Sequence, residues 1–360
     1  MKYTNTLVIN TGSTSVKYKL FNYKGVEVLA ETFDAKRKGD KKKEEAFLRK
    51  IKSLTKADGL KVAFRVVHGG DIVGPVIIDT DIIKRIKEFA AFAPIHNKAV
   101  LKKIAKMKKF FNKSFEEKKF FAVFDTDFHQ TIPKTFSTYP IDQKIAKKFK
   151  LKKYSFHGIA VQSALGQIAE GFQKRGKDLP EKIIFAHLGG GSSLTAVKDG
   201  KSIANTMGLT PISGLMMTTR VGDVDSDLDK ILAQKMGKSI NIISDMFSRK
   251  SGFLGMTGSA DTKEIFDKAK IEEEKNTGEF TKEKLSFDIY VSQIVQKAGA
   301  FSGLLGGLDL LVFSGGIGEK NSYLRKKVLE KLEFLGMDKS KVLVAEVNEE
   351  ENIFKQISDF

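Results

Sequence analysis

Alternation of apolar and polar positions marks two stretches of the chain: residues 7–31, LVINTGSTSVKYKLFNYKGVEVLAE, and residues 183–205, IIFAHLGGGSSLTAVKDGKSIAN. Each reads as an apolar strand, a Gly/Ser loop, a second alternating strand, a turn with glycine and a third strand. The turns are Tyr23-Lys24-Gly25 and Lys198-Asp199-Gly200, residue types suited to tight reversal. A unit written twice predicts two related domains. Between them, Lys36–Asp40 reads as a charged loop, Glu44–Lys56 as a helix and Leu60–Val67 as a strand. Asp81–Ala91 and Lys98–Phe111 have helical spacing, and Lys119–Phe124 is a buried strand ending at Asp125. Ile141–Phe149 is helical and leads into Lys150–Lys153, the expected hinge. After the second meander come helices near 225–248 and 283–304, the strand Leu308–Phe313, the loop Ser314–Gly318 and a helix from about Asn321.

The length of 360 residues supports two cores, and 28 Phe help to fill them. Cysteine is absent, which excludes disulfides and thiolate metal sites. No apolar run reaches the roughly 20 residues of a spanning helix, and the N-terminus enters a strand directly without a leader pattern. A cytoplasmic protein is expected. The net charge of +18 raises the question of nucleic acid. The excess is mostly lysine spread among acids, however, and no basic cluster is interleaved with aromatics, so we expect neither nucleic-acid nor membrane binding. The positive field would also steer small anions.

Three apolar strands end in glycine loops: Asn10–Ser15, His187–Ser193 and Ser314–Glu319. Glycine lets backbone N–H groups approach an anion, and Ser/Thr hydroxyls add donors. None fits a P-loop or a dinucleotide fingerprint. Lys17, two residues past Ser15, shares its strand face; phosphate contact and a solvated lysine are both open for it. All five histidines lie in compact segments that mix glycine, aromatics and acids, and none is paired at metal-ligand spacing on a helix. Arg65 and Arg220 stand apart in a chain that prefers lysine. Their guanidinium forks suit a carboxylate or a phosphate, the alternative being a buried ion pair with Asp125, Asp223 or Asp225. Asp125, at a strand's C-terminal end, has the place favoured for active-site carboxylates in α/β folds.

These segments resemble the acetate kinase family, within the sugar kinase/actin/Hsp70-like superfamily. The resemblance spans nearly the whole chain: NTGSTSVK (residues 10–17), RVVHGG (65–70), APIHN (93–97), FDTDFHQ (124–130), FHG (156–158), HLGGGS (187–192), MGLTPISGLMMTTRVGDVD (207–225), GFLGMTGSAD (252–261) and SGGIGE (314–319). It implies two duplicated ribonuclease H-like (actin-like ATPase) domains, 1–149 on the acyl side and 150–348 on the nucleotide side, with a nucleotide cleft between them. A closing segment, 349–360, would pack back on the first domain, and the protein would be a homodimer. The implied activity is reversible, Mg²⁺-dependent phosphoryl transfer between ATP and acetate, giving acetyl phosphate and ADP; Mn²⁺ is a possible substitute.

The resemblance also assigns roles. Asp125, His157 and Arg220 would be catalytic. Arg65 would bind acetate or the moving phosphoryl group, and Val67, Ile95, Phe156 and Pro211 would enclose the acyl methyl. Ser13, Ser15, Lys17, His187, Leu188, Gly189, Gly190, Gly191, Asp261, Thr262, Lys263, Gly315, Gly316, Ile317, Gly318 and Glu319 would line the nucleotide site. Asn10 and Glu349 would serve the metal. Acetate is already ionised at neutral pH and needs no base, so electrostatics and alignment suffice for the reaction.

The chain departs from the family at Gly190, usually Asn; at Lys263, commonly Arg; and at Ile95, usually Leu. It is also shorter before Arg65 and between Gly318 and Glu349. A propionate or butyrate kinase of the same family is the alternative enzyme. A non-catalytic actin-like nucleotide switch is the alternative of another class.

Overall fold

A computed structural model describes residues 5–12, 15–34, 37, 39–55, 60–111, 119–275, 280–358 and 360. Among these the strands are β1 (Asn5–Thr11), β2 (Ser15–Phe21), β3 (Glu27–Asp34), β4 (Leu60–Val66), β5 (Val76–Ile77), β6 (Phe120–Phe124), β7 (Lys182–Leu188), β8 (Ser192–Lys198), β9 (Lys201–Asn205), β10 (Leu310–Ser314) and β11 (Val342–Val344). The helices are α1 (Asp40–Leu54), α2 (Thr80–Glu88), α3 (Pro94–Phe111), α4 (Lys134–Ser137), α5 (Gln143–Lys148), α6 (Gly158–Gln173), α7 (Leu228–Met236), α8 (Ile240–Arg249), α9 (Gly252–Thr257), α10 (Thr262–Lys275), α11 (Lys282–Leu305), α12 (Gly315–Lys320), α13 (Ser322–Leu332) and α14 (Glu349–Ile357).

The two expected meanders form. One sheet has the order β3-β2-β1-β4-β6-β5 and the other β11-β10-β7-β8-β9. In the first, β1 is antiparallel to β2 and parallel to β4, which is parallel to β6. In the second, β7 is antiparallel to β8 and parallel to β10, which is parallel to β11. Set side by side, 3-2-1-4-6 and 9-8-7-10-11 are one topology used twice. The β8–β9 turn places both Asp199 and Gly200 at positive φ (50° and 74°), as a two-residue hairpin requires.

Packing groups Met1–Gln130, His157–Ser163 and Asn348–Phe360 in a first unit, and Thr131–Phe156 and Ala164–Val347 in a second. This grouping differs from boundaries at 149 and 348 in where residues 131–149, 157–163 and Asn348 go. In the first unit, Leu7 and Ile9 point to the cluster built with α1 and α3, which includes Leu48, Ile51, Val100 and Ile104. Val8, on the opposite face by strand alternation, meets Ile159, Ile353 and Ile357. Helix α14 therefore covers one face of β1 and β4, and Lys61 Nζ donates to the carbonyls of Ile357 and Ser358 at its C-terminal end. In the second unit, Ile184, Ala186, Leu194 and Ala196 pack under α10 and α11 through Phe266, Phe287, Tyr290 and Ile294.

Some elements differ from the sequence expectation. The single helix expected near 225–248 is broken into α7 and α8 by Gly237, a left-handed C-cap. The loop after β10 is itself a helical turn, α12. Helices α6, α10 and α14 were not anticipated. Lys56, expected to close the first helix, lies outside the described residues. Among the described residues no helix is long and apolar enough to cross a membrane.

Candidate active site

In the first unit, three neighbouring parallel strands each deliver one polar residue to the same sheet edge. Asn10 is the penultimate residue of β1, Arg65 the penultimate residue of β4, and Asp125 follows β6 directly. The strand register carries this alignment: Ile9 pairs with Phe64, Val66 pairs with Phe124, and the Asp125 N–H donates to the Val66 carbonyl at 3.0 Å. The first turn of α14 adds Glu349 and Glu350. That turn is fixed by Asn348, whose side chain caps the Glu351 N–H and accepts from Lys19 Nζ at 3.2 Å; its own N–H donates to Ser163 Oγ at 3.0 Å.

These five residues form one network, in which Asn10, Asp125 and Glu350 are buried and Arg65 and Glu349 half-buried. Arg65 Nε donates to both Asp125 oxygens at 3.1 Å, and Nη2 donates to Oδ2 at 2.7 Å. Arg65 Nη1 reaches Glu349 Oε2 at 2.8 Å and Asn10 Oδ1 at 3.2 Å. Asn10 Nδ2 donates to Glu349 Oε2 at 2.7 Å and to Glu350 Oε1 at 2.6 Å. Flipping the Asn10 amide would set its NH₂ against a guanidinium and its oxygen against two carboxylates, so the network fixes its orientation.

Asp125 is fully buried. Burial lifts its carboxyl above the ordinary carboxylate value, to about 6; Arg65 opposes the rise and Glu349 adds to it. Burial alone would weaken the charge on Arg65, but Asp125 and Glu349 outweigh it and hold the guanidinium protonated. Of the two sequence readings for Arg65, the ion pair with Asp125 is the one observed. Four of the five guanidinium N–H donors are directed at Asp125, Glu349 and Asn10.

Gly158, next to His157 in the chain, is docked on the backbone of Asp125. The Gly158 N–H donates to the Asp125 carbonyl at 3.0 Å. A Cβ on Gly158 would lie 2.3 Å from that oxygen and 2.9 Å from Phe128 Cβ, so the position needs glycine. His157, half-buried, has φ 63°, a left-handed conformation that costs a non-glycine residue free energy and is found at functional positions. Val67 is buried directly after β4, and Ile95 is half-buried in the first turn of α3. Ser15 opens β2, its carbonyl accepting from the Gly12 N–H at 2.8 Å; exposed Lys17 lies opposite Asn10 in the ladder. Ser13 lies outside the described residues.

The second unit gathers the other glycine loops. His187 and Ser314 pair at the ends of parallel β7 and β10, with His187 Nδ1 and Ser314 Oγ 3.2 Å apart. Beyond them the Gly189 N–H donates to the Gly191 carbonyl at 2.9 Å, and Thr218 Oγ1 donates to the Gly190 carbonyl at 3.0 Å. A Cβ on Gly315 (φ 76°) would lie 2.6 Å from the Leu188 carbonyl oxygen, so the end of β7 at Leu188 and the start of α12, which holds Gly316, Ile317 and Gly318, abut through glycine. Glu319 turns back to accept from the Gly315 N–H at 2.8 Å. Asp261 caps α10, accepting from the N–H groups of Lys263 and Glu264, while Thr262 opens that helix and Lys263 is exposed.

Arg220 sits on a loop pinned through Gly252, where a Cβ would lie 2.0 Å from the Met217 carbonyl oxygen and 2.7 Å from that of Arg220. Its Nη1 donates to the Pro211 carbonyl at 3.0 Å. Asp223, one of the alternative partners weighed for Arg220, pairs with Lys297 at 2.7 Å. Phe156 and Pro211 are buried in this unit, and the Phe156 carbonyl accepts from Asn205 Nδ2 at 3.3 Å. Sequence reasoning missed Glu350 as a part of the network and Gly158 as its support.

The arrangement is one of charge. Three carboxylates and one guanidinium meet around an amide in the first unit, and two glycine segments abut at the ends of β7 and β10 in the second. Comparison with known proteins identifies the family. Residues 5–359 match the model of the acetokinase family. An acetate kinase of Clavibacter michiganensis subsp. michiganensis is 34% identical over 362 residues, covering 92% of this chain and 87% of that protein. A propionate kinase structure from Francisella tularensis subsp. tularensis superposes with TM-score 0.84 at 30% identity, covering 98% of each chain. The structure of Porphyromonas gingivalis acetate kinase gives 0.80 at 29% identity, again over 98% of each chain. The duplicated sheets are thus those of paired actin-like ATPase domains, and the chain belongs to the acetokinase family.

Proposed function

We propose that the protein transfers a phosphoryl group reversibly between ATP and acetate, giving acetyl phosphate and ADP. Membership in the acetokinase family makes it a phosphotransferase with a carboxyl group as acceptor. The observation that carries the reading further is the network of Asn10, Arg65, Asp125, Glu349 and Glu350, a buried concentration of charge aligned at the ends of three parallel strands.

In the forward direction an acetate oxygen forms a bond to the γ-phosphorus as the bond from that phosphorus to the ADP oxygen breaks. The acid is already ionised, so no group has to remove a proton. The remaining demand is to neutralise charge spread over the moving phosphoryl oxygens and to hold the partners in line. Arg220 and His157 supply that positive and hydrogen-bonding character. Arg65, with most of its donors engaged by carboxylates, holds Asp125 and Glu349 in place and leaves one N–H for substrate. Val67, Ile95, Phe156 and Pro211 receive the methyl group. Ser13, Ser15, Lys17, the loops at 187–191 and 315–319, and Asp261–Lys263 are assigned to the nucleotide.

The chemistry of the donor set fits Mg²⁺. The carboxylates of Asp125, Glu349 and Glu350 outnumber the single guanidinium of Arg65 in a buried place, which favours a divalent cation. Among the described residues no group of three or more metal-ligating side chains forms a ready cage. Mg²⁺ characteristically takes one or two carboxylates plus substrate phosphates. Glu349 would hold it, with Asn10 orienting that carboxylate; the ion would neutralise phosphate charge.

We further assign the residue ranges 1–149, 150–348 and 349–360 as the functional segments, a cytoplasmic location, and a homodimer. Exposed Ile231, Met236, Ile240 and Ile242 on α7 and α8 offer apolar surface for a second copy. Hydroxamate trapping of the acyl phosphate tests the site: Arg220→Ala should lower turnover by about 10²-fold or more, and undiminished turnover would remove Arg220 from the mechanism.

A further inference from the structure

We propose that Asn97 is a positioning residue that sets which acid chain length the acyl site accepts, by tying the loop behind Val67 to the helix turn that carries Ile95. The inference rests on the acyl-site assignment of those two residues made above. Asn97 is fully buried. Its Oδ1 accepts the His68 N–H at 3.1 Å, and its Nδ2 donates to the carbonyls of His68 at 2.9 Å and Ile86 at 3.2 Å. A flipped amide would oppose donor to donor and acceptor to acceptors, so this orientation is the one the contacts allow. His68 follows Val67 in sequence, and Asn97 shares the first turn of α3 with Ile95. One side chain therefore joins the two backbone segments that present the apolar residues.

The joined loop has no slack. His68 stacks on Phe89 with ring centroids 4.8 Å apart, and the Gly70 N–H donates to His68 Nδ1 at 3.2 Å. A Cβ on Gly69 would lie 2.2 Å from the Phe124 ring, and one on Gly70 (φ 66°) 2.2 Å from the Phe89 ring. From the other side Thr126 Oγ1 accepts from the Gly69 N–H at 3.3 Å, and Gln130 Nε2 donates to the Gly70 carbonyl at 3.0 Å. Val67 cannot shift away from the start of α3 while these bonds hold. Because a pocket discriminates acids differing by one methylene only through wall position, tethers outside the pocket govern the ranking.

The test compares wild type, Asn97→Ala, Asn97→Asp and Gln130→Ala. For each, kcat/KM is measured for acetate, propionate and butyrate, together with KM for ATP and Tm. Asn97→Asp keeps the acceptor for His68 N–H and loses both donors. The propionate-to-acetate ratio of kcat/KM should rise about ten-fold in the Asn97 variants, the scale of one methylene, with KM for ATP unchanged. Gln130→Ala should move the ratio in the same direction by less. A role confined to stability would lower Tm and all acid rates together with the ranking intact, and that result overturns the proposal. Should both Asn97 variants fail to fold, an unaltered ranking in Gln130→Ala overturns it equally. Absence of acyl phosphate from any acid in wild type instead removes the acyl-site reading itself, and is thereby told apart.

Discussion

Replacing Arg65 with alanine should make the first unit's stability depend steeply on pH. In the native protein the Asp125 carboxylate is fully buried and takes Arg65 Nε at 3.1 Å and Nη2 at 2.7 Å, while Glu349 takes Nη1 at 2.8 Å. Breaking a buried pair by removing one partner costs about 3–5 kcal/mol, because it strands the other charge. The carboxyl of Asp125 is already raised to about 6 with Arg65 present, against an ordinary value of about 3.9. Without Arg65 it rises further. A folded-state pKa above the unfolded one means that the native state holds the proton more tightly. The group's contribution is then most favourable below the unfolded value and is lost as pH rises through the folded value.

Urea denaturation of wild type and Arg65→Ala at about pH 5 and about pH 8 should therefore show a deficit near 3–5 kcal/mol at the higher pH and a smaller one at the lower. Adding Asp125→Asn to Arg65→Ala should recover part of the loss at about pH 8, since the stranded charge is gone. A deficit below about 1 kcal/mol, or one equal at both pH values, would refute the buried-pair reasoning.

The same network and its surroundings yield further expectations. If ionised Asp125 is required, kcat/KM should fall on the acid side with a limb near the value of about 6 set by its burial, and Asp125→Asn should abolish that limb; an unchanged profile in the variant would disprove the assignment. Gly158→Ala forces a Cβ to within 2.3 Å of the Asp125 carbonyl oxygen. It should cost about 1–3 kcal/mol and lower kcat, and wild-type values of Tm and kcat would show the contact to be unimportant. Thr11 Oγ1 is buried with no hydrogen-bond partner among the described residues, on the strand face it shares with its ladder partner Val16. Thr11→Val should be neutral or stabilising by up to about 1 kcal/mol, and a loss larger than that in urea denaturation would reveal a partner for the hydroxyl.

Much of this was legible in sequence because strand chemistry repeats. The alternation at 7–31 and 183–205 and the glycine turns located both meanders, and the parallel strands that follow completed the shared topology. Arg65 was conspicuous in a lysine-rich chain, and its pairing with Asp125 was one of two readings its isolation allowed. What stayed hidden depends on contacts distant in sequence. Glu350 meets Asn10 across nearly the full chain, and nothing in the run Asn348-Glu349-Glu350 indicates which carboxylate turns inward. Asn97 has the same difficulty: a single buried amide joins His68 and Ile86, but in sequence it reads as an ordinary helix-start residue. The break at Gly237 was foreseeable from its residue type, since glycine ends a helix readily in the left-handed conformation.

The most direct test of the account is formation of acyl hydroxamate by the purified protein with ATP and Mg²⁺ in the presence of acetate, propionate or butyrate. We predict product that depends on the acid, is greatest in kcat/KM for acetate and is lost when the cation is chelated. ATP binding without acid-dependent product from any of the three would contradict acyl phosphotransfer and return the chain to the reading of a nucleotide switch.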